Sequence, residues 1–171
     1  MPPSGVGGFK KNMKKIFQLF AMILMAGSMT SCFENPNLVY DGGTVVEFDA
    51  AVNTAPAAGR TFPLITVNNG AGAQTTRINL VGPQRPADSP VKISIDAAAT
   101  TAVEGTHFRI VSRDVTIPAN TSFGTASIEI LRVPVQVSST VNLVLLLEGN
   151  GSDILPSENF KRVGYTIRLN P

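Results

Sequence analysis

The 171-residue chain has no tryptophan, one cysteine, one histidine and two tyrosines. Each shortage closes a route. A single cysteine, Cys32, rules out an internal disulfide, so an exported domain of this chain must be held by its own core. A single histidine, His107, rules out a multi-histidine metal site and leaves a Ser/His/Asp triad one base to be built on. No G-x-S-x-G stretch accompanies it. Beside Phe108, where turn passes into strand, His107 reads as a structural side chain with a satisfied hydrogen bond. No two acidic residues are adjacent. Calcium takes about six to eight oxygens, several of them charged, and only the single loop acids Glu104, Asp153 and Asp88 offer themselves. Asp96, Asp114, Glu129, Glu148 and Glu158 are equally isolated, as on wet strand faces, and give no sign of a paired-carboxylate glycosidase site. The expectation is a protein with no catalytic residues, no metal and no cofactor.

What the chain does have begins with its leader. Lys14 and Lys15 precede Ile16–Ala26, an apolar run broken only by Gln18, and small residues follow. That order is a secretory signal, and the run is shorter than the ~20 apolar residues that span a bilayer. Its end, Met29-Thr30-Ser31-Cys32, resembles the lipobox of bacterial lipoproteins, with methionine where leucine is commonest. The resemblance implies a thioether-linked diacylglycerol on Cys32 and a mature chain that begins there. Residues 1–31 are therefore read as signal, with residues 1–12 an upstream extension outside the fold. Four lysines and no acids leave with the leader, so Lys+Arg drops from 14 to 10 against an unchanged Asp+Glu of 12. The mature chain is mildly acidic and has no electrostatic footprint for nucleic acid.

Residues 32–43 carry Pro36, Asn37, Gly42 and Gly43 with no periodic pattern, and read as the lipidated cysteine and a flexible tether. Residues 44–171 read as one domain. Val46 and Phe48 alternate with Val45 and Glu47. Ala51–Arg60 is loop-like. Phe62–Val67 and Thr75–Val81 flank the turn signal Asn68-Asn69-Gly70, and Pro63 makes the first of these an edge strand or the start of a bulge. Val91, Ile93 and Ile95, then Val115 and Ile117, then Ala126, Ile128 and Ile130, occupy every second position, each set a half-buried strand. Leu131 continues the polar face of Ser127 and Glu129 and is expected to be wet. Val141–Leu147 is apolar on both faces, the mark of a central strand, and Val163, Tyr165, Ile167 and Leu169 form a last alternating set. Short strands, frequent Gly/Pro turns and no helical stripe predict an all-β antiparallel sandwich of about seven or eight strands.

Three stretches carry a resemblance. Thr101–Phe108 (TAVEGTHF), Val115–Asn120 (VTIPAN) and Ala126–Ile130 (ASIEI) resemble the Calx-beta pattern, which implies an immunoglobulin-like sandwich. The acid-rich terminal loops of its calcium-binding members have no match here. With the lipobox and Pro156–Phe160 (PSENF), the whole resembles Bacteroidetes surface lipoproteins, whose genes often adjoin outer-membrane nutrient-uptake systems. The resemblance implies a lipid-anchored outer-membrane module on the cell surface, or on the periplasmic face, with an uptake complex or a glycan as partner. The alternative is a protein–protein spacer or adhesin component with no ligand of its own. Ligand residues are not legible. Tyr165 falls on an apolar strand face and Tyr40 in the tether, so stacking would fall to loop aromatics such as Phe33, Phe123 and Phe160. Arg60, Arg85, Arg109, Arg113, Arg132, Arg162 and Arg168 are the groups available to an anionic sugar.

Overall fold

The computed structural model describes residues 42–171. Cys32, the leader and nearly all of the tether lie outside the described residues. The chain forms β1 (Val45–Phe48), the short helix α1 (Asp49–Asn53), β2 (Leu64–Asn68), β3 (Gly72–Val81), β4 (Ser89–Ile95) and β5 (Phe108–Ile110). There follow β6 (Asp114–Ile117), β7 (Phe123–Ile130), β8 (Ser139–Gly149), β9 (Leu155–Pro156) and β10 (Arg162–Leu169). Two five-stranded sheets result, one in the order β5-β7-β3-β1-β9 and the other in the order β2-β10-β8-β4-β6. The all-β sandwich expected from the alternation is what the chain builds.

Period-two patterning explains the core. Val46, Phe48, Ile78, Leu80, Ala126, Ile128 and Ile130 point inward from the first sheet, and Val91, Ile93, Leu143, Leu145, Leu147, Tyr165 and Ile167 from the second. All are buried, and together they close a core lying wholly within residues 45–169. Leu131, expected to be wet, is half-buried. The chain has left β7 there, and the Leu131 backbone is bonded to His107 and to Gly70.

β8 sits in the middle of its sheet, as its two-faced apolar run demands. Leu143, Leu145 and Leu147 enter the core, while Val144 is fully buried on the outer face. Two neighbours cover it. Gly164 of β10 lies between Val144 and Leu64 in register, and the Leu64 side chain occupies the space a Cβ at Gly164 would need. On the other flank the segment 96–102 continues along β8, where Asp96 N donates to Val144 O and Val144 N donates to Thr100 Oγ1.

Two pairings are parallel, β1 with β9 and β2 with β10. The Asn68–Gly70 turn carries the chain from one sheet to the other and makes no hairpin. Asn69 locks this crossing. Its buried amide donates to Val133 O at 2.7 Å and accepts from Val133 N at 2.8 Å, tying it to the β7–β8 crossing. β2 is an edge strand beginning just after Pro63, as the missing N–H of that residue predicts. Ten strands form among the described residues where about seven or eight were expected, and the two parallel pairings depart from the all-antiparallel arrangement expected. The stretch read as loop from Ala51 also holds the end of α1, because Ala50 and Ala51 favour helix and Asp49 stands in its first turn.

Candidate functional site

Two long connections meet beside the β1 and β10 strands. The first runs from α1 to β2, where Ala57 N donates to Phe62 O and Arg60 N to Ala57 O. The second runs from β9 to β10. Ser157 N donates to Val46 O, Phe48 N to Phe160 O, and Leu147 N to Lys161 O, which stitches this segment to both sheets. Between them lies a cleft of about 580 Å³ lined by Pro56, Arg60 and Thr61 from the first and by Glu158, Asn159, Phe160 and Arg162 from the second.

Its charge is arranged around one ring. Phe62 is buried, with the Arg60 guanidinium 5.5 Å and the Arg162 guanidinium 5.2 Å from its centroid. Arg162 is held three ways, by that ring, by Asp96 at 3.3 Å and by the Thr61 hydroxyl at 3.2 Å. Glu158 is engaged by Lys161 at 2.8 Å. Arg60 has no carboxylate within ion-pair distance among the described residues, so the cleft keeps one uncompensated guanidinium. Beside it stand the Asn159 amide and the half-buried Phe160 ring. This set can fix an anion through a planar fork, hydrogen-bond hydroxyl groups and cover an apolar face. It holds no nucleophile paired with a base.

The other residues singled out in the sequence are dispersed. Arg85 pairs with Asp153 at 2.7 Å, Arg113 with Glu104 at 2.6 Å, and Arg109 with Glu129 at 2.5 Å. Hydrogen bonds from Asn150 and Arg85 hold the Asp153 carboxyl below its usual range. Asp88 accepts from Ala119 N at 2.8 Å. Asp88 and Asp153 flank the end of the sandwich where β4 starts and β8 finishes, whereas Glu104 bridges to Phe108 beside the start of β3. No group of three metal-ligating side chains forms among the described residues. His107 Nδ1 accepts from Val103 N at 2.9 Å and closes the turn into β5. Arg132 packs against Gly70, and Arg168 is exposed on β10. Phe160 lines the cleft, Phe123 lies on the outer face of the first sheet, and Phe33 is outside the described residues.

Sequence reasoning placed Arg60, Arg162 and Phe160 among its candidates without joining them. It missed Phe62, read only as the start of a strand, and Arg77, whose guanidinium lies 3.4 Å from the Phe123 centroid. The available signal for the former was Arg60-Thr61-Phe62-Pro63, a cation and an aromatic ahead of an edge strand.

No protein-family model matches the sequence, and no curated protein does. Several solved structures align with the chain at low scores. A Bacteroides ovatus protein, provisionally described as carbohydrate-binding, aligns with TM-score 0.42 and 8% identity over 74% of this chain and 37% of its own. The class 5 fimbriae chaperone CfaA aligns with TM-score 0.36 and 15% identity over 64% of this chain and 54% of its own. The N-terminal domain of PorA aligns with TM-score 0.34 and 11% identity over 74% of this chain and 97% of its own. The chain thus spans about a third to a half of the first two. These likenesses carry no argument about ligand or partner.

Proposed function

We propose that the chain is a non-enzymatic binding module, lipid-anchored through Cys32 at the outer membrane and facing the cell surface, whose cleft receives an acidic glycan beside a nutrient-uptake complex. The observation that carries the binding half is Arg60, a guanidinium with no carboxylate partner at a cleft shared with an amide and an aromatic ring. A carboxylated or sulfated sugar supplies the missing charge, its hydroxyls suit Asn159, and its apolar face suits Phe160. The anchored half rests on the order of lysines, apolar run and Met29–Cys32.

Both halves have direct tests. Residues 33–171 include the whole core, and calorimetric titration of that fragment should show binding to uronic-acid or sulfated oligosaccharides over neutral ones. Arg60→Ala should weaken that binding by roughly tenfold or more, the size of a lost charge-assisted hydrogen bond. Equal affinity for neutral sugars would remove the role of Arg60, and no binding at all would leave the spacer reading in its place. For the anchor, Cys32→Ala should abolish partitioning into detergent; unchanged membrane association defeats the lipoprotein reading. Protease treatment of intact cells decides orientation, since a periplasmic domain stays uncut until the outer membrane is broken.

A further inference from the structure

Four strands form the edges of the two sheets, and three of them are blunted. β5 is three residues long with Arg109 at its centre, β9 is two residues ending in Pro156, and β6 begins with Asp114 and runs into Pro118. Short length, charge and proline are the usual protections of an edge. β2 has none of these within its span. Leu64-Ile65-Thr66-Val67-Asn68 is five residues long, uncharged, rich in β-branched side chains and in unbroken register with β10.

The ladder shows which of its backbone groups are open. Gly164 N donates to Pro63 O at one end and Asn69 N donates to Arg168 O at the other, so the odd-numbered residues of this stretch face β10. In a parallel ladder the alternate residues point the other way. The N–H and C=O groups of Leu64 and Thr66, and the N–H of Asn68, therefore face outward. The Asn68 carbonyl already accepts from Ala71 N, and its second lone pair is open.

We propose that β2 pairs antiparallel with β2 of a second copy of this chain, about a two-fold axis through Thr66. The register follows from the open groups. Thr66 exchanges both hydrogen bonds with its counterpart, and Leu64 does so with Asn68 of the other copy. The side-chain rows are then self-complementary. Threonine meets threonine on the axis, a favourable cross-strand pair. The half-buried Ile65 lies beside Val67 of the other copy and gains cover. No charged residue of β2 meets its like across the seam. A second copy is favoured over an unrelated peptide because β2 offers no charge or pocket by which to select one. The two second sheets become one ten-stranded sheet through an isologous contact. The seam is short, so pairing is weak and concentration-dependent.

Sedimentation equilibrium of residues 33–171 between about 1 µM and about 1 mM should show a monomer–dimer equilibrium. Thr66→Lys sets two ammonium groups face to face on the axis and should move the midpoint to at least about tenfold higher concentration. Thr66→Val, neutral and β-branched, should keep it. Thr66 is exposed, so an unchanged melting temperature in both variants separates pairing from folding. Hydrogen exchange should slow at the Leu64, Thr66 and Asn68 amides as concentration rises and stay constant at Ile65 and Val67. A monomer throughout the range overturns the proposal. So does a dimer indifferent to Thr66→Lys, or slowing of those amides only on addition of an unrelated extended peptide.

Discussion

Asn69 and Tyr165 are polar side chains in dry surroundings, and they are treated in opposite ways. Asn69 bonds both backbone groups of Val133 and donates to Asn170 O, and so welds two crossings together. Tyr165 stands in the core opposite Thr76. Burial pushes its phenol above the ordinary value of 10.0, and the Thr76 hydroxyl works against that shift. The folded state therefore holds this proton more tightly than the unfolded one. Its contribution is complete below the unfolded tyrosine value and is lost as pH rises through the folded one. In residues 44–171 Tyr165 is the sole tyrosine, so tyrosinate absorbance reports one group. That absorbance should rise above pH 10.0 in step with loss of β-structure. Tyr165→Phe should withstand alkali better than the parent. Free titration at the ordinary value in a folded protein would contradict the buried placement. His107 shows what a residue alone does reveal: with no second histidine in the chain, its structural part is legible in the sequence, and its Nδ1 accepts from Val103 N.

Among elements, β8 shows how pattern converts into energy. Leu145 is fully buried between two sheets, and truncation to alanine at such a site costs about 2–5 kcal/mol. Leu131→Ala and Leu146→Ala should each cost less, because both side chains are half-buried. Chemical denaturation of the three variants checks the order, and a costlier Leu131→Ala would reverse the assignment of faces. The strands were legible because alternation is local: Val91, Ile93 and Ile95, or Ala126, Ile128 and Ile130, declare their faces within a few residues. Partnership was not. Asn68-Asn69-Gly70 has hairpin chemistry, yet the flanking strands separate because each finds its partner far along the chain. The cleft failed to show for the same reason. The Arg162 guanidinium bonds to the Thr61 hydroxyl across 101 residues of sequence, and no local period records that distance.

For the molecule as a whole, sheet order implies an order in time. β10 is the latest of the described strands, yet it is an interior one, inserted between β2 and β8. Until it arrives, β2 has no neighbour and β8 has a bare flank. A chain delivered from its N-terminus, by ribosome or through a membrane pore, thus cannot close this sheet while residues 162–169 are still in transit. Deleting residues 162–171 should leave an unfolded chain by circular dichroism, where removal of an edge strand would only destabilise it; a cooperative thermal transition in the deletion variant would show that the remaining strands suffice. Long-range pairing of this kind also slows folding. The closing strand acts as a timer, keeping this sheet open until residues 162–169 have emerged.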